Sequence, residues 1–275
     1  MGVGLGLIAA LGWGIGDVML TQTARRIGSV RLLVYFESAG LLAIGLLLLI
    51  RPALPHASAG MWVLMLGLAL LNSLGALLLY RAFQIGTLAL VSPLASANAI
   101  VTALLAFVTG ERLPLLTVVG ALLLVGGVVL ITRFQYAGGI SSLRGLPEAL
   151  GVAAIFGSFY WAMHVVTPAL GIYWPIFVMR TLRVVVGVAL AGRSVVQVRE
   201  VPFVRLGLAA LLSTAAFLAF NLGLTTTSTT LIAALASLAS AVTVMLARAM
   251  LHEQLSHGQW VGVSLILLGV LVVSR

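Results

Sequence analysis

Five ionisable side chains stand inside long apolar stretches: Asp17, Glu37, His164, Arg180 and Arg183. A charge at the centre of a membrane helix costs about 2.5–3.5 kcal/mol on an insertion scale, so such residues mark ligand, ion or proton sites, or pairs that neutralise one another. Arg180 and Arg183 are three apart and share a helix face. Two guanidiniums so placed can bind an anionic group such as a carboxylate or phosphate. The competing reading is that their stems snorkel to the interface or bond helix-end carbonyls. Asp17 and Glu37 have short side chains that snorkel poorly. Each is a candidate proton or cation site, with a structural pairing to Arg81 as the alternative. His164 is a candidate proton relay, or a hydrogen-bonded packing residue.

Uncharged groups extend the set. Trp13 and Trp161 fall near mid-depth of two equivalent stretches, where an indole can line a pocket and stack on a ligand or cation, or simply pack. Tyr160 and Tyr35 are secondary candidates. Asn72, Ser73, Ser92, Ser96, Asn98, Ser237, Ser240 and Thr243 cluster toward the centre and can hydrogen-bond a solute or a neighbouring helix. Of these, Asn72 and Asn98 are the candidate solute ligands. Glu111 and Glu253 each follow an apolar stretch by a short turn, and capping of the next helix is the expected role.

The elements that carry these residues follow from composition. Of 275 residues, 62% are apolar, 8% are charged, and mean hydropathy is +1.22. A soluble domain has about 25% charged residues and leaves roughly a quarter of its chain surface in water. This chain is therefore read as an all-α integral membrane protein of the cell (plasma or inner) membrane. Soluble enzyme, nucleic-acid module and disordered chain are excluded, and β-barrel strands would alternate apolar and polar residues. Cysteine is absent, so disulfides and thiolate metal sites are excluded. No cofactor motif, P-loop, dinucleotide fingerprint or metal-ligand spacing is present. No enzyme activity is expected, and any transport must draw on an ion gradient, a proton for example, or on exchange.

A crossing helix needs about 20 apolar residues. Ten stretches qualify, at 2–22, 32–50, 61–80, 85–109, 113–132, 149–171, 173–191, 206–224, 228–247 and 255–274. The sequence also repeats. Residues 67–81 match 207–221 with seven identities in fifteen, and 87–133 match 229–275 without a gap, pairing Glu111 with Glu253 and Asn98 with Ser240. The division is a first repeat at 1–133, a linker at 134–148 and a second repeat at 149–275. Five crossings per repeat reverse the entry side of the second, which makes two inverted-topology five-helix repeats of ten transmembrane helices. Secondary transporters with a midplane site are built this way. The Gly120/Gly127 and Gly262/Gly269 spacings give smooth stripes on the fifth and tenth crossings.

Let side B be the side where the first crossing starts and side A the other. At 1.5 Å per residue, Asp17 and Glu37 lie about 8 Å from side A, His164 about 8 Å, Arg180 about 10 Å and Arg183 about 15 Å from side B. Acids and bases then segregate to opposite halves of the membrane, and Glu37 is not expected beside Arg180. Ten loop arginines fall on side A and three on side B, which places side A in the cytoplasm.

Several motifs carry a family resemblance: Leu11-Gly12-Trp13-Gly14, Tyr80-Arg81-Ala82-Phe83, Thr109-Gly110-Glu111-Arg112-Leu113 and His252-Glu253-Gln254-Leu255. Over nearly its whole length the chain resembles the EamA type of the drug/metabolite transporter superfamily. Ala99 and Ala241 depart from it where many members have Pro, and Glu37 stands where Arg180 stands in the other half. The resemblance implies a secondary transporter of a small organic solute, an amino acid or related metabolite exported by alternating access, as monomer or homodimer. It also implies cytoplasmic termini, opposite to the charge count. Exchange of anionic or phosphorylated metabolites is the alternative within transport; a membrane-embedded enzyme or lipid flippase is the alternative outside it.

Overall fold

A computed structural model describes residues 2–50, 54–55, 57–110, 115–136, 144–192 and 201–273. Among them are twelve helices: α1 Gly2–Ile27, α2 Ser29–Ile50, α3 Ala59–Ile85, α4 Leu88–Ala95, α5 Asn98–Val108, α6 Leu115–Tyr136, α7 Leu146–Leu170, α8 Trp174–Ala191, α9 Phe203–Leu224, α10 Thr229–Ser237, α11 Ala239–Leu251 and α12 His257–Val273. Eight stretches are long and apolar enough to cross a membrane when α4–α5 and α10–α11 are each taken as one passage. Leu42, Leu49, Val63, Leu74 and Leu211 are among many large apolar side chains on the outer surface, which lipid solvates and water does not.

The fourth and ninth crossings, expected as continuous helices, are broken near mid-depth. Pro93 removes a backbone donor inside α4, and the chain turns at Ser96 and Ala97 before α5. The Asn98 amide donates to the Ala95 carbonyl at 3.0 Å, and the Ser240 hydroxyl to the Ser237 carbonyl at 3.0 Å. Each break thus keeps a polar partner for a carbonyl freed inside the bundle, as a non-aqueous setting requires.

The two halves interleave. α1 packs on α9, α10 and α11 of the second half; α7 packs on α3, α4 and α5 of the first; α2 lies against α8 and α9. α6 and α12 pack mainly on each other, where a Cβ on Gly127 would come within 2.6 Å of the Gly262 carbonyl oxygen. Two buried apolar clusters result. One lies toward side A around Leu32, Phe83 and Leu88, and the other toward side B around Met65, Phe220 and Ile232. The polar site lies between them.

Candidate functional site

Glu37 on α2 gathers three donors. Arg180 Nη1 donates to Oε2 at 2.8 Å; Arg183 Nη1 and the Tyr80 hydroxyl donate to Oε1, both at 2.7 Å. Arg180 Nη2 also reaches Ser213 Oγ at 3.2 Å and Thr214 Oγ1 at 3.1 Å on α9, and Arg183 Nη2 donates to Asn72 Oδ1 on α3. The guanidinium of Arg180 lies over the rings of Phe36 and Phe217, 5.5 and 5.9 Å from their centroids. Glu37 and Arg180 are 0% exposed and Arg183 is 4% exposed. Space for this packing comes from Gly40, three residues after Glu37, where a Cβ would sit 2.1 Å from Arg180 Nη1.

The expected segregation of acids from bases is therefore wrong. Counting rise from sequence-drawn span ends assumed that every helix begins at the membrane face. α2 begins at Ser29, so Glu37 lies about 12 Å along it, deeper than supposed, and the long arginine side chains close the remaining gap. Arg81 pairs elsewhere, with Glu148 at 3.2 Å.

Beside this cluster lies a small central cavity of about 100 Å³. Arg183 and Tyr80 line it on one side, and Asp17 and Trp13 of α1 on another. Asn98, Ser96 and Ser237 come from the broken crossings, and Phe156, Tyr160 and Phe217 supply aromatic walls. The Trp13 ring stacks on Tyr160 at 5.9 Å and meets Phe217 edge-on at 4.9 Å. Ser237 donates to Asn98 Oδ1 at 3.1 Å, which ties the two breaks together. Asp17 is half-buried, and its Oδ2 lies 3.2 Å from the Thr243 hydroxyl. Asn72 is behind the wall, held by Arg183.

Trp161 and His164 do not join this site. His164 is exposed, its ring beside that of Trp161 and its Nδ1 on the Trp161 carbonyl. The Trp161 Nε1 donates to Thr109 Oγ1 at 3.3 Å. These two residues lie on a face of α7 turned away from the cavity.

The repeat explains the error. Thr102 Oγ1 bonds the Gly157 carbonyl at 3.0 Å, and Thr243 Oγ1 bonds the Gly14 carbonyl at 3.3 Å. A Cβ on Gly157 would strike Val101 and the Asn98 carbonyl; one on Gly14 would strike Val242 and the Ala239 carbonyl. The register is thus 143 residues between α1 and α7 and 141 between α5 and α11, not an ungapped 142. Trp13 corresponds to Phe156 and Asp17 to Tyr160, all four on the cavity, and Asn98 corresponds to Ala239 rather than Ser240. Phe36, Phe217, Ser213 and Thr214 were not marked by sequence. Tyr80 stands in the Tyr80-Arg81-Ala82-Phe83 motif, and Ser213, Thr214 and Phe217 fall within the repeat match at 207–221.

An all-helical membrane fold built of two interleaved, mutually similar halves fits one family in particular. The model of the EamA-like transporter family matches residues 1–133 and 145–275. The chain belongs to that family. In fold it is similar to a solved crystal structure with 18% sequence identity and a TM-score of 0.70, over 99% of this chain and 96% of that one. No curated protein matches the chain.

The EamA-like chain also departs from expectation at Glu253. It does not cap the helix that follows it. α12 is capped by its own box, with Ser256 N donating to Gln259 Oε1 at 2.9 Å and Gln259 N to Ser256 Oγ at 3.3 Å. Glu253 instead accepts from Leu88 N at 3.1 Å and Ala89 N at 2.8 Å, the first turn of α4 in the other half. Arg25 Nη2 donates to the same carboxylate at 2.7 Å and to the Gly86 carbonyl at 2.9 Å. Glu111 lies outside the described residues.

Proposed function

We propose that this EamA-like protein is a secondary transporter that moves a small organic solute, an amino acid or related metabolite, out of the cell by alternating access. The chain then crosses the cell membrane ten times, in halves 1–133 and 149–275 joined by 134–148, with α6 and α12 as the peripheral crossings. One observation carries the reading: a mid-depth cavity between the halves presents Arg183 on one wall and Asp17 on another, among aromatic rings. A solute carboxylate meets Arg183, a cationic group or a coupling proton meets Asp17, and Trp13 and Tyr160 pack against the apolar part. Asn98 and Ser237 supply hydrogen bonds. Glu37 acts through the two arginines, whose orientation it fixes together with Asn72.

The second reading, exchange of anionic or phosphorylated metabolites, is favoured by the charge of the cluster: two guanidiniums share one carboxylate. Purified protein in proteoliposomes separates the two. Export coupled to a proton gradient and lost in Asp17→Asn supports the first reading. Strict counter-exchange of phosphorylated solutes that survives Asp17→Asn supports the second, and no ligand-dependent flux from a screened amino-acid and metabolite panel removes both.

A further inference from the structure

The two broken crossings begin differently. Ser228, the residue before α10, caps its own helix, accepting from Leu231 N at 3.3 Å. Thr87, which stands 141 residues earlier in the same place before α4, has the extended backbone of a capping residue but makes no side-chain cap bond. Its helix is capped in trans by Glu253, from the turn between α11 and α12, with Arg25 of α1 clamped on the same carboxylate. The Glu253 side chain is 10% exposed and that of Arg25 is 36% exposed, so the contact sits at the edge of the bundle, partly open to water. It joins the ends of α1, α4 and α11 across the two halves on side A. The far end of α4 leads directly to Ser96 and Asn98 on the cavity. In the α1–α7 register, the place of Arg25 is taken by Pro168, which has no cation.

We infer that Glu253 with Arg25 is a gate latch on side A. While the carboxylate holds the first turn of α4, side A is shut; when it lets go, the Thr87 hydroxyl takes over the cap, and α4 swings away from the α11–α12 turn to open the cavity to side A. The exchange of one cap for another keeps the helix N-terminus satisfied in both states, so the switch leaves no orphaned donors in the bundle. Glu253 is thus a positioning residue that acts through α4. This inference rests on the alternating-access reading.

The chain has no cysteine, so a single introduced thiol reports without background. Full-length Ser96→Cys protein is reconstituted in vesicles of known orientation and labelled with a membrane-impermeant maleimide from each side. Adding Glu253→Gln is expected to raise side A labelling about fivefold, the shift for net loss of one ordinary hydrogen bond at a partly exposed site. Arg25→Gln gives a smaller rise in the same direction and serves if the first variant folds poorly. Thr87→Ala is expected to lower side A labelling, because it removes the cap of the open state only. A purely structural Glu253 would not give opposite signs at two residues of one cap. Side A labelling unchanged in Glu253→Gln and Arg25→Gln, or Thr87→Ala moving it the same way as they do, overturns the latch. Flux through the protein without these substitutions, measured separately, decides the carrier reading.

Discussion

Glu37 and Asp17 sit one helix apart in the first half, and each is a lone carboxylate among apolar residues, yet they are held in opposite ways. Glu37 is sealed, with both oxygens occupied by two guanidiniums and a phenol. Asp17 fronts the cavity beside a Thr243 hydroxyl whose single proton is shared with the Gly14 and Ala239 carbonyls. A buried charge without full compensation is costly, and removing one partner of a buried pair costs more than the pair contributes. Glu37 therefore belongs to the architecture of the site, whereas Asp17 is the acid that the cavity leaves open to a change of partner.

The largest expected effect breaks that contrast at its sealed end. Glu37→Gln leaves two guanidiniums in apolar surroundings with no counter-charge and should destabilise the folded protein by about 3–5 kcal/mol. Asp17→Asn keeps the shape and should change stability by less than about 1 kcal/mol. Thermal unfolding in detergent checks both. Equal losses would mean that Asp17 is as structural as Glu37.

The arginines should divide along the same line. Arg180 is wholly enclosed by Glu37, Ser213, Thr214 and two rings, whereas Arg183 touches the cavity. Arg180→Ala leaves Glu37 with Arg183 and Tyr80 but empties the space between Phe36 and Phe217 and removes the bonds to Ser213 and Thr214, so it is expected to lower stability by about 3 kcal/mol or more. Arg183→Ala leaves Glu37 with Arg180 and Tyr80, so the protein should fold while a carboxylate-bearing solute loses about tenfold or more in affinity. Ligand-induced shifts of the melting temperature read binding and fold in one experiment. Gly40→Ala sharpens the same point at smaller scale: the added methyl displaces the Arg180 guanidinium and should cost about 1–3 kcal/mol without touching the cavity.

Which parts of this were legible in the sequence follows from what each signal measures. Apolar run length located the helices, because crossing a bilayer is a one-dimensional demand. The repeat was visible through Glu-x-Leu turns and Gly spacings. The pairing of Glu37 with Arg180 was hidden, since it depends on where α2 starts and how far an arginine reaches, and neither is a property of run length. The breaks at Ser96 and Leu238 escaped for the same reason: hydropathy is continuous across them. The trans cap by Glu253 joins residues far apart in the chain, and a turn motif read locally points to the adjacent helix instead.

The smallest expected effect concerns Trp161 and His164, whose type and depth matched those of site residues. Helical register decides the matter: one residue turns a side chain by about 100°. The neighbour Tyr160 faces the cavity, while Trp161 turns off toward Thr109 and carries His164 beside it on the outer face. His164→Ala and Trp161→Phe should leave transport within about twofold of the unaltered protein, since neither side chain lines the chamber and surface changes are near neutral. Tyr160→Phe keeps the ring and its stacking on Trp13, so it serves as the matched control on the inner face. Transport that falls in His164→Ala and persists in Asp17→Asn would move the proton path from the chamber to the outer face of α7 and reverse the contrast drawn between the sealed and the open acid.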